Sequence, residues 1–553
     1  MDAMYVLSAA EMQACDLATT QRFGVPSLDL MRAAAASVAA FAREQFPHAR
    51  RVTVLCGRGN NGGDGMMAAR LLSDAGLDVT TLLLGAPNKL TADAAQAWLE
   101  LASPAHGLIH IVAAADDLAR HKTALAADLI VDAVLGTGFK PPLKGLALAA
   151  LEWIKTATAP ILAVDLPSGW PADETAAVVA GPVFRADAVI TFTAPKPAHV
   201  FGQLTRRWNQ SIVVAPIGSP DAAIVSQLNL HWAGSSLALT QASRAAAANK
   251  GNFGHVLIVG GSLGSAGGKS GAPAMASLAA LRAGAGLVTA AVPAPALPLV
   301  AAVAPELMTL PLTPNQAGQI AAENLAPELL TVLMAGKTVL AIGPGLGQSA
   351  DTIKFTTGLL SATKIPTVID ADALNILATT PVLLAKLAKG RTLVLTPHPG
   401  EMARLAGIPT AEVQANRLPI ARDFAQSNGV TLVLKGARTI VAHADGRVAV
   451  NTTGNPAMAK GGSGDLLTGL IAGLLAQYPS GAAQAVEAAV YLHGLAADLA
   501  VRDADQHTLL ATDSLAQFSR AFRFDSRAKN GYVWLQGLPA EALHAAAPQE
   551  AAK

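Results

Sequence analysis

The chain is short of cysteine, of aromatic rings and of charge. Two cysteines, Cys15 and Cys56, stand in 553 residues. They cannot make a disulfide framework, nor a four-ligand metal site by themselves. Aromatic residues are 4% of the chain, too few for rows of base-stacking rings. Charged residues are 14% and the formal net charge is +1, which removes the basic footprint of a nucleic-acid binder. Long apolar runs are missing too. The longest uncharged stretch, Ala283 to Pro305, contains Pro293, Pro295 and Pro298 and reads as a strand and a loop, not a spanning helix. Asp2, Glu11 and Asp16 stand early, with no basic segment before an apolar run, so no signal peptide is expected. What is present is 52% hydrophobic residues, which excludes a disordered chain. At about 150 residues per domain the length suggests three or four domains, or two if they are large α/β domains. A reduced, cytoplasmic enzyme without nucleic-acid or membrane partners is the expectation.

Short β-branched runs alternate with Ala/Leu-rich stretches of helical length. The first half offers Val52–Cys56, Val79–Leu84, Leu129–Val134, Ile161–Asp165, Val189–Phe192 and Ile212–Ala215. The second offers His255–Val259, Leu287–Ala291, Val339–Ile342, Thr367–Asp370, Leu393–Thr396, Thr431–Leu434 and Thr439–Ala442. Unalternating apolar runs are expected of strands buried on both faces of a parallel sheet. The predicted fold is α/β with two domains, residues 1–225 and 240–530, and a frayed Ala-rich tail after about Gly537.

In the first half, strand Val52–Cys56 runs into Gly57-Arg58-Gly59-Asn60-Asn61-Gly62-Gly63-Asp64-Gly65. Such glycines let backbone approach a pyrophosphate at a helix N-terminus. An ordinary NAD site also needs an acid ending the next strand, and Leu82-Leu83-Leu84-Gly85 has none. The plainer reading is a tight turn with an Asn/Asp helix cap, which needs fewer glycines than are here. Asp132 lies in an apolar strand before Gly136-Thr137-Gly138. Asp165 and Ser168 end another strand, and Lys196 a third. A single Asp there is commonly a loop cap. Five polar side chains on the ligand-facing edge of a parallel sheet point to a site. Asn61, Asp132 and Ser168 offer oxygen ligands for a hard cation, and one carboxylate among them favours a monovalent ion.

The segments Gly59–Gly65, Val131–Gly138 and Val164–Gly169 resemble the NAD(P)H-hydrate epimerase family over about residues 5–220. The resemblance implies a Rossmann-like doubly wound domain that interconverts the R and S epimers of hydrated NADH or NADPH. It implies hydrate contacts from Asn60, Asn61, Gly62, Gly63 and Asp64, from Gly136, Thr137, Gly138, Phe139, Lys140, Pro141 and Pro142, and from Asp165. It implies a potassium ion (K+) on Asn61, Asp132 and Ser168. Trp170 stands where the family more often has a smaller aliphatic residue, which bears on the shape of that loop. Loss of the C6 hydroxyl next to the ring nitrogen leaves an iminium that water re-enters from either face. A carboxyl that gives and takes one proton suffices. Asp165 is the candidate, with Lys196 second.

In the second half, Asn455-Pro456-Ala457-Met458-Ala459-Lys460-Gly461-Gly462-Ser463-Gly464-Asp465 opens an apolar helix. Loop N–H groups and the helix N-terminus can hold phosphate, and Asp465 stands where a carboxylate can take a hydroxyl proton during attack on phosphorus. As a plain feature, Asp465 is a favourable charge in a first helical turn. A rival phosphate loop, Gly264–Ser270, fails as a P-loop because Leu263 stands where glycine is required. His398 lies between two prolines at a strand end, as a structural residue or a ligand reader. Lys435 and Arg438 suit nucleotide phosphate or a solvated hairpin.

Gly271-Ala272-Pro273 with Ala280–Leu287, then Gly343–Gly347, Asp370–Asn375, Thr396–Glu401, Lys435–Thr439 and Gly462–Asp465 resemble the NAD(P)H-hydrate dehydratase family over about residues 245–525. The resemblance implies a ribokinase-like α/β/α domain, hydrate contacts from Ala272, Gly345, His398 and Asp465, and nucleotide contacts from Lys435, Gly436, Ala437, Arg438, Thr439 and Gly464. It implies ADP as co-substrate, with Mg2+, giving AMP and phosphate. Asp465 would be the base for phosphorylation of the C6 hydroxyl. The expectation is therefore a bifunctional repair enzyme acting on NADHX and NADPHX, a homo-oligomer, epimerase first and dehydratase second. The alternative is a ribokinase-like small-molecule kinase with a non-catalytic N-terminal binding domain, which would leave a stable phosphoester.

Overall fold

The computed structural model of the chain describes residues 3–102, 106–265, 267–527 and 530–539. The strands in chain order are β1 Arg51–Cys56, β2 Asp78–Leu84, β3 Leu108–Val112, β4 Leu129–Ala133, β5 Ile161–Val164, β6 Ala188–Phe192, β7 Ser211–Ala215, β8 Leu230–Trp232, β9 His255–Val259 and β10 Leu263–Gly264. They continue as β11 Gly267–Gly268, β12 Leu287–Pro293, β13 Met308–Leu312, β14 Val339–Ile342, β15 Thr367–Ile369, β16 Leu393–Leu395, β17 Thr431–Leu434, β18 Ile440–Ala442, β19 Val448–Val450 and β20 Val533–Gln536. Among the described residues no single helix is long and apolar enough to cross a membrane.

Two compact units divide the chain. Among the described residues one is Met4–Leu230 together with 525–527 and 530–539, and the other is Ala3 with His231–Phe524. An uninterrupted second domain over 240–530 therefore needs correcting at its end: residues 525–527 and 530–539 return to the first unit. Most of the tail expected to fray, residues 540–553, lies outside the described residues.

The first unit is an eight-stranded sheet in the order β20-β7-β6-β5-β4-β1-β2-β3. All pairs from β7 to β3 are parallel, and β20 runs antiparallel to β7. Its order reverses after β1, as in a doubly wound sheet, so the loops after β1, β4, β5 and β6 share one edge. The last strand is fastened by packing. Trp534 is buried, and its ring and that of Tyr532 meet Phe41 edge-on with centroids 6.1 and 6.2 Å away. Tyr532 Oη donates to the Ser37 carbonyl at 3.1 Å.

The second unit is a ten-stranded sheet in the order β13-β12-β9-β14-β15-β16-β17-β18-β19-β8. It is parallel from β13 to β17 and antiparallel through β18 and β19. Helix Ser463–Gln477 lies against helix Gly271–Arg282 so closely that a Cβ at Gly469 would stand 2.0 Å from the Ala276 carbonyl oxygen. Only glycine permits that approach, which fixes the position of the helix whose third residue is Asp465. The rival phosphate loop is a small hairpin, with β10 antiparallel to β11, and Lys269 beyond it pairs with Asp372 at 3.4 Å.

Trp534→Ala is expected to remove about 3–5 kcal/mol from the first unit alone, because a large buried ring leaves a cavity. Chemical denaturation of the full chain should show one transition moving to lower denaturant while that of the His231–Phe524 unit stays. Movement of the latter instead would assign residues 525–539 to the wrong unit.

Candidate active sites

The first site stands on the edge where β1, β4, β5 and β6 end. Asp165 follows β5 with φ 63°, a left-handed backbone that costs a non-glycine residue on the order of 1 kcal/mol or more. Its surroundings hold it there. Its N–H donates to the Ile190 carbonyl at 2.7 Å, and its own carbonyl accepts from His199 Nε2 at 2.7 Å. Oδ2 accepts from Thr137 N at 2.7 Å and from the Thr137 hydroxyl. Oδ1 accepts from Thr191 Oγ1 at 2.9 Å and from Lys196 Nζ at 3.0 Å, and the same ammonium donates to Thr191 Oγ1 at 2.8 Å.

The protonation states follow from these partners. Burial acts to raise the Asp165 pKa, but the Lys196 ammonium and the Thr137 hydroxyl outweigh it and hold the carboxylate well below its usual range. Burial pushes His199 down to about 4, so it is neutral. Its Nδ1 accepts from Lys196 N at 3.0 Å, which leaves the proton on Nε2, facing the Asp165 carbonyl. Asp64 moves the other way. Burial first, then the charges of Asp165 and Asp16, drive it well above the carboxylate range. Asp16, on helix Ala9–Gln21, is raised to about 6 by burial, against the lowering charge of Lys196.

The side-chain amide of Asn61 is buried beside this cluster, and neither its Oδ1 nor its Nδ2 has a hydrogen-bond partner. Gly136 is the reason it can lie there: a Cβ on Gly136 would stand 2.8 Å from Asp165 Oδ2 and 3.2 Å from Asn61 Oδ1. Asp132 is fully buried, with Oδ1 accepting from Ser168 Oγ at 2.6 Å and Oδ2 from Ser168 N at 2.8 Å. It also caps its own turn, accepting from Val134 N at 3.3 Å, and burial raises it to about 6. The Trp170 loop closes normally, with Trp170 N donating to the Pro167 carbonyl and its ring packed under Gly202.

Asn61, Asp64, Gly136, Thr137, Asp165 and Lys196 thus come together. Gly62 and Gly63 are buried packing positions at the start of helix Asn60–Asp74. Asn60 turns away to accept from Thr91 Oγ1 at 3.0 Å. Phe139 packs into the core, and Gly138, Lys140, Pro141 and Pro142 are exposed. Sequence reasoning missed Asp16, Thr191 and His199. Thr191 is a hydroxyl within the apolar run of β6 and leaves no mark in the sequence pattern.

The second site stands where β15, β16 and β17 end against helix Ser463–Gln477. Asp370 is buried, and its Oδ1 accepts from Lys435 Nζ at 2.9 Å and Thr396 Oγ1 at 2.7 Å, its Oδ2 from Thr468 Oγ1 at 2.8 Å. Burial would raise Asp370, and Lys435 holds it low. Asp465 has no such cation in contact. Burial and the Asp370 charge raise it to about 6, against Lys435 and Lys269.

His398 caps helix Pro399–Ala406 with its ring. Nδ1 accepts from Gly400 N at 3.0 Å and Glu401 N at 3.3 Å, while Glu401 Oε2 accepts from His398 N at 2.8 Å. Its proton therefore sits on Nε2, on a half-exposed ring. Ala272 lies beside Gly345, where a Cβ would stand 3.4 Å from that of Ala272. The Lys435–Thr439 turn is clasped by Arg417, which donates to the carbonyls of Leu434, Lys435 and Ala437. Gly436 has φ 134° against that guanidinium, and Thr439 Oγ1 donates to the Gly436 carbonyl. Arg438 donates to the Thr452 carbonyl at 2.9 Å. A Cβ at Gly464 would stand 3.5 Å from Lys435 Nζ. Thr396, Arg417, Thr468 and the buried, neutral His493, lowered to about 4 by burial, were not singled out from sequence. Among the described residues no group of three His, Cys, Asp or Glu side chains is spaced to hold a metal ion.

Comparison with known proteins divides the chain in the same way. The NAD(P)H-hydrate dehydratase family matches residues 256–519, and the family described as YjeF-related protein N-terminus matches residues 27–198. The bifunctional NAD(P)H-hydrate repair enzyme of Moorella thermoacetica is 41% identical over 526 residues, covering 93% of this chain and 95% of that protein. Its counterpart from Escherichia coli is 35% identical over 511 residues, 92% of each chain. A crystal structure of the ADP/ATP-dependent NAD(P)H-hydrate dehydratase from Bacillus subtilis, crystallised with ATP and Mg2+, is 31% identical and covers 52% of this chain and 96% of that one, with a TM-score of 0.44. With relatives at this identity over nearly its whole length, the chain belongs to the family of bifunctional NAD(P)H-hydrate repair enzymes.

Proposed function

We propose that the first unit epimerises R- and S-NAD(P)HX and that the second dehydrates the S epimer with ADP, giving NAD(P)H, AMP and phosphate. The observation that carries this reading is the same in both units: a lysine-paired carboxylate stands by a second carboxyl that is pushed upward. Paired carboxyls with separated pKa values are the signature of acid–base work.

In the epimerase site Asp64, whose carboxyl burial and the Asp165 charge drive upward, gives the proton to the departing C6 hydroxyl. Asp165, held ionised by Lys196, takes a proton from the water that adds back to C6 and passes it to Asp64, so that both carboxyls return to their starting states. Water entering the opposite face inverts the centre. The side-chain amide of Asn61, buried and unpartnered, is free to bind the hydrate or an ion. The oxygens of Asn61, Asp132 and Ser168 suit a monovalent cation, since Asp132 is a buried carboxylate with only hydrogen-bond donors about it. Potassium there would neutralise Asp132 and tie the Gly57–Gly65 loop to the Ser168 loop.

In the dehydratase site Asp465 accepts the C6 hydroxyl proton as that oxygen forms its bond to the β-phosphorus of ADP and the bond to AMP breaks. Loss of phosphate from C6 and of a proton from C5 then restores the dihydropyridine. Gly464, at the helix N-terminus, and the Lys435–Thr439 turn would hold the nucleotide phosphates, whose charge the helix dipole favours. Mg2+, where it binds, would supply further charge neutralisation on those phosphates, held by the phosphates and water more than by side chains of this chain. The free, buried Cys15 and Cys56 suit a reducing compartment, and we place the enzyme in the cytoplasm.

Asp465→Asn should lower ADP-dependent recovery of NADH from S-NADHX by about 10²–10⁴-fold with folding intact. Near-wild-type turnover would remove Asp465 from the mechanism. Because the base works ionised, the wild-type rate should rise with pH through about 6 and fall below it. An acid limb flat to pH 4 would contradict that assignment. Asp165→Asn should stop epimer exchange and leave dehydration of pure S epimer unchanged. Loss of both would refute two separate sites. Epimerase rates should fall when potassium is replaced by a large organic cation; indifference would exclude the ion.

A further inference from the structure

The dehydratase reading gives Asp370 no step of its own. Asp370 ends β15 fully engaged, with Lys435 and Thr396 on Oδ1 and Thr468 on Oδ2. Thr468 is three residues beyond Asp465 on the same helix, so the two share a face. Lys435 Nζ reaches 3.8 Å from Glu401 Oε2, and that carboxylate accepts from the backbone N–H of His398. A Cβ on Gly464 would lie 3.5 Å from Lys435 Nζ and 3.9 Å from Asp370 Oδ2. One carboxylate therefore links the nucleotide turn, the His398 cap and the first turns of the Asp465 helix. The next residue, Ala371, has φ 51°, so the backbone is held in a costly conformation to place Asp370 there.

We propose that Asp370 is a positioning residue of the dehydratase: it fixes Lys435 on one side and, through Thr468, the Asp465 helix on the other, and so sets where Asp465 stands and which charges it faces. This rests on the reading of Asp465 as the base. The charged groups about Asp465 are Asp370 at the end of β15, Lys435 at the end of β17 and Lys269 before helix Gly271–Arg282. Lys269 is itself paired with Asp372, Lys435 also faces Glu401 and His398, and His493 contributes a neutral ring near Ser463. Asp370 and Lys435 pull on Asp465 in opposite directions, Asp370 disfavouring its charge and Lys435 favouring it. Removing either charge therefore shifts Asp465 by Coulomb interaction alone, whereas cutting the uncharged Thr468 link disturbs only its placement.

The test uses the full-length enzyme at saturating ADP, S-NADHX and Mg2+, with the pH profile of kcat as readout. Asp370→Asn should move the acid limb down by roughly one pH unit, with kcat reduced. Lys435→Met should move it up. Thr468→Val keeps both charges and cuts only the link to the helix, so kcat should fall several-fold with the limb unmoved and KM for the hydrate unchanged. A limb that stays in place in a folded Asp370→Asn enzyme overturns the proposal, provided Asp465→Asn is inactive. An active Asp465→Asn enzyme overturns instead the reading beneath it. If Asp370→Asn does not fold, Lys435→Met and Thr468→Val decide, and a wild-type limb in the first with wild-type kcat in the second overturns the proposal.

Discussion

Each unit depends on a buried carboxylate paired with a lysine at the end of a parallel strand. An isolated buried charge would neutralise itself, and removing one partner from such a pair typically costs about 3–5 kcal/mol. Lys196 with Asp165 and Lys435 with Asp370 are therefore fixtures, and hydroxyls saturate what the ammonium leaves open. The pair makes a second carboxyl informative. Asp64 and Asp465 are each denied the cation and burdened with the neighbouring charge, so they stay poised to exchange protons.

The backbone bends to supply these groups. Asp165, Ala371 and Arg438 are three of the five non-glycine residues with positive φ among the described residues, and all lie in or beside a site. Such strain persists only where surrounding bonds outweigh it. At Asp165 they are the backbone bonds to Ile190 and His199. Absent side chains matter as much. Gly136 leaves room for two polar side chains at once, and Gly469 lets the Asp465 helix settle against its neighbour.

Much of this was legible from sequence. The central strands, uniformly apolar, were read to within a residue or two, because burial on both faces erases any alternation. Edge strands were missed for the complementary reason: β3 and β13 are half exposed and carry His110 and Pro311, which dilute the pattern. The loops after β1, β4 and β5 announced themselves by glycine and acid together. Their partners did not, since Thr191 and Thr468 are hydroxyls within apolar elements and His199 is a single ring in a short helix. No spacing rule reveals that a lysine will be spent on a neighbouring aspartate. Lys435 reads from sequence as a phosphate binder, and its second attachment, to Asp370, shows only in the fold. The return of β20 was invisible because pairing across some 300 residues leaves no local trace.

That return has a consequence for how the protein is made. Synthesis runs from the N-terminus, so strands β1 to β7 emerge long before β20. Until the ribosome has delivered Trp534, the β7 edge lacks its neighbour and Phe41 lacks the rings that cover it. An open edge beside uncovered apolar surface is a template for aggregation. The intervening unit, by contrast, contains all its own strands and can close while the chain is still attached. The part translated first is thus the last to be completed, and a transcript cut short near its end would strand the epimerase half, not the dehydratase half that precedes the cut.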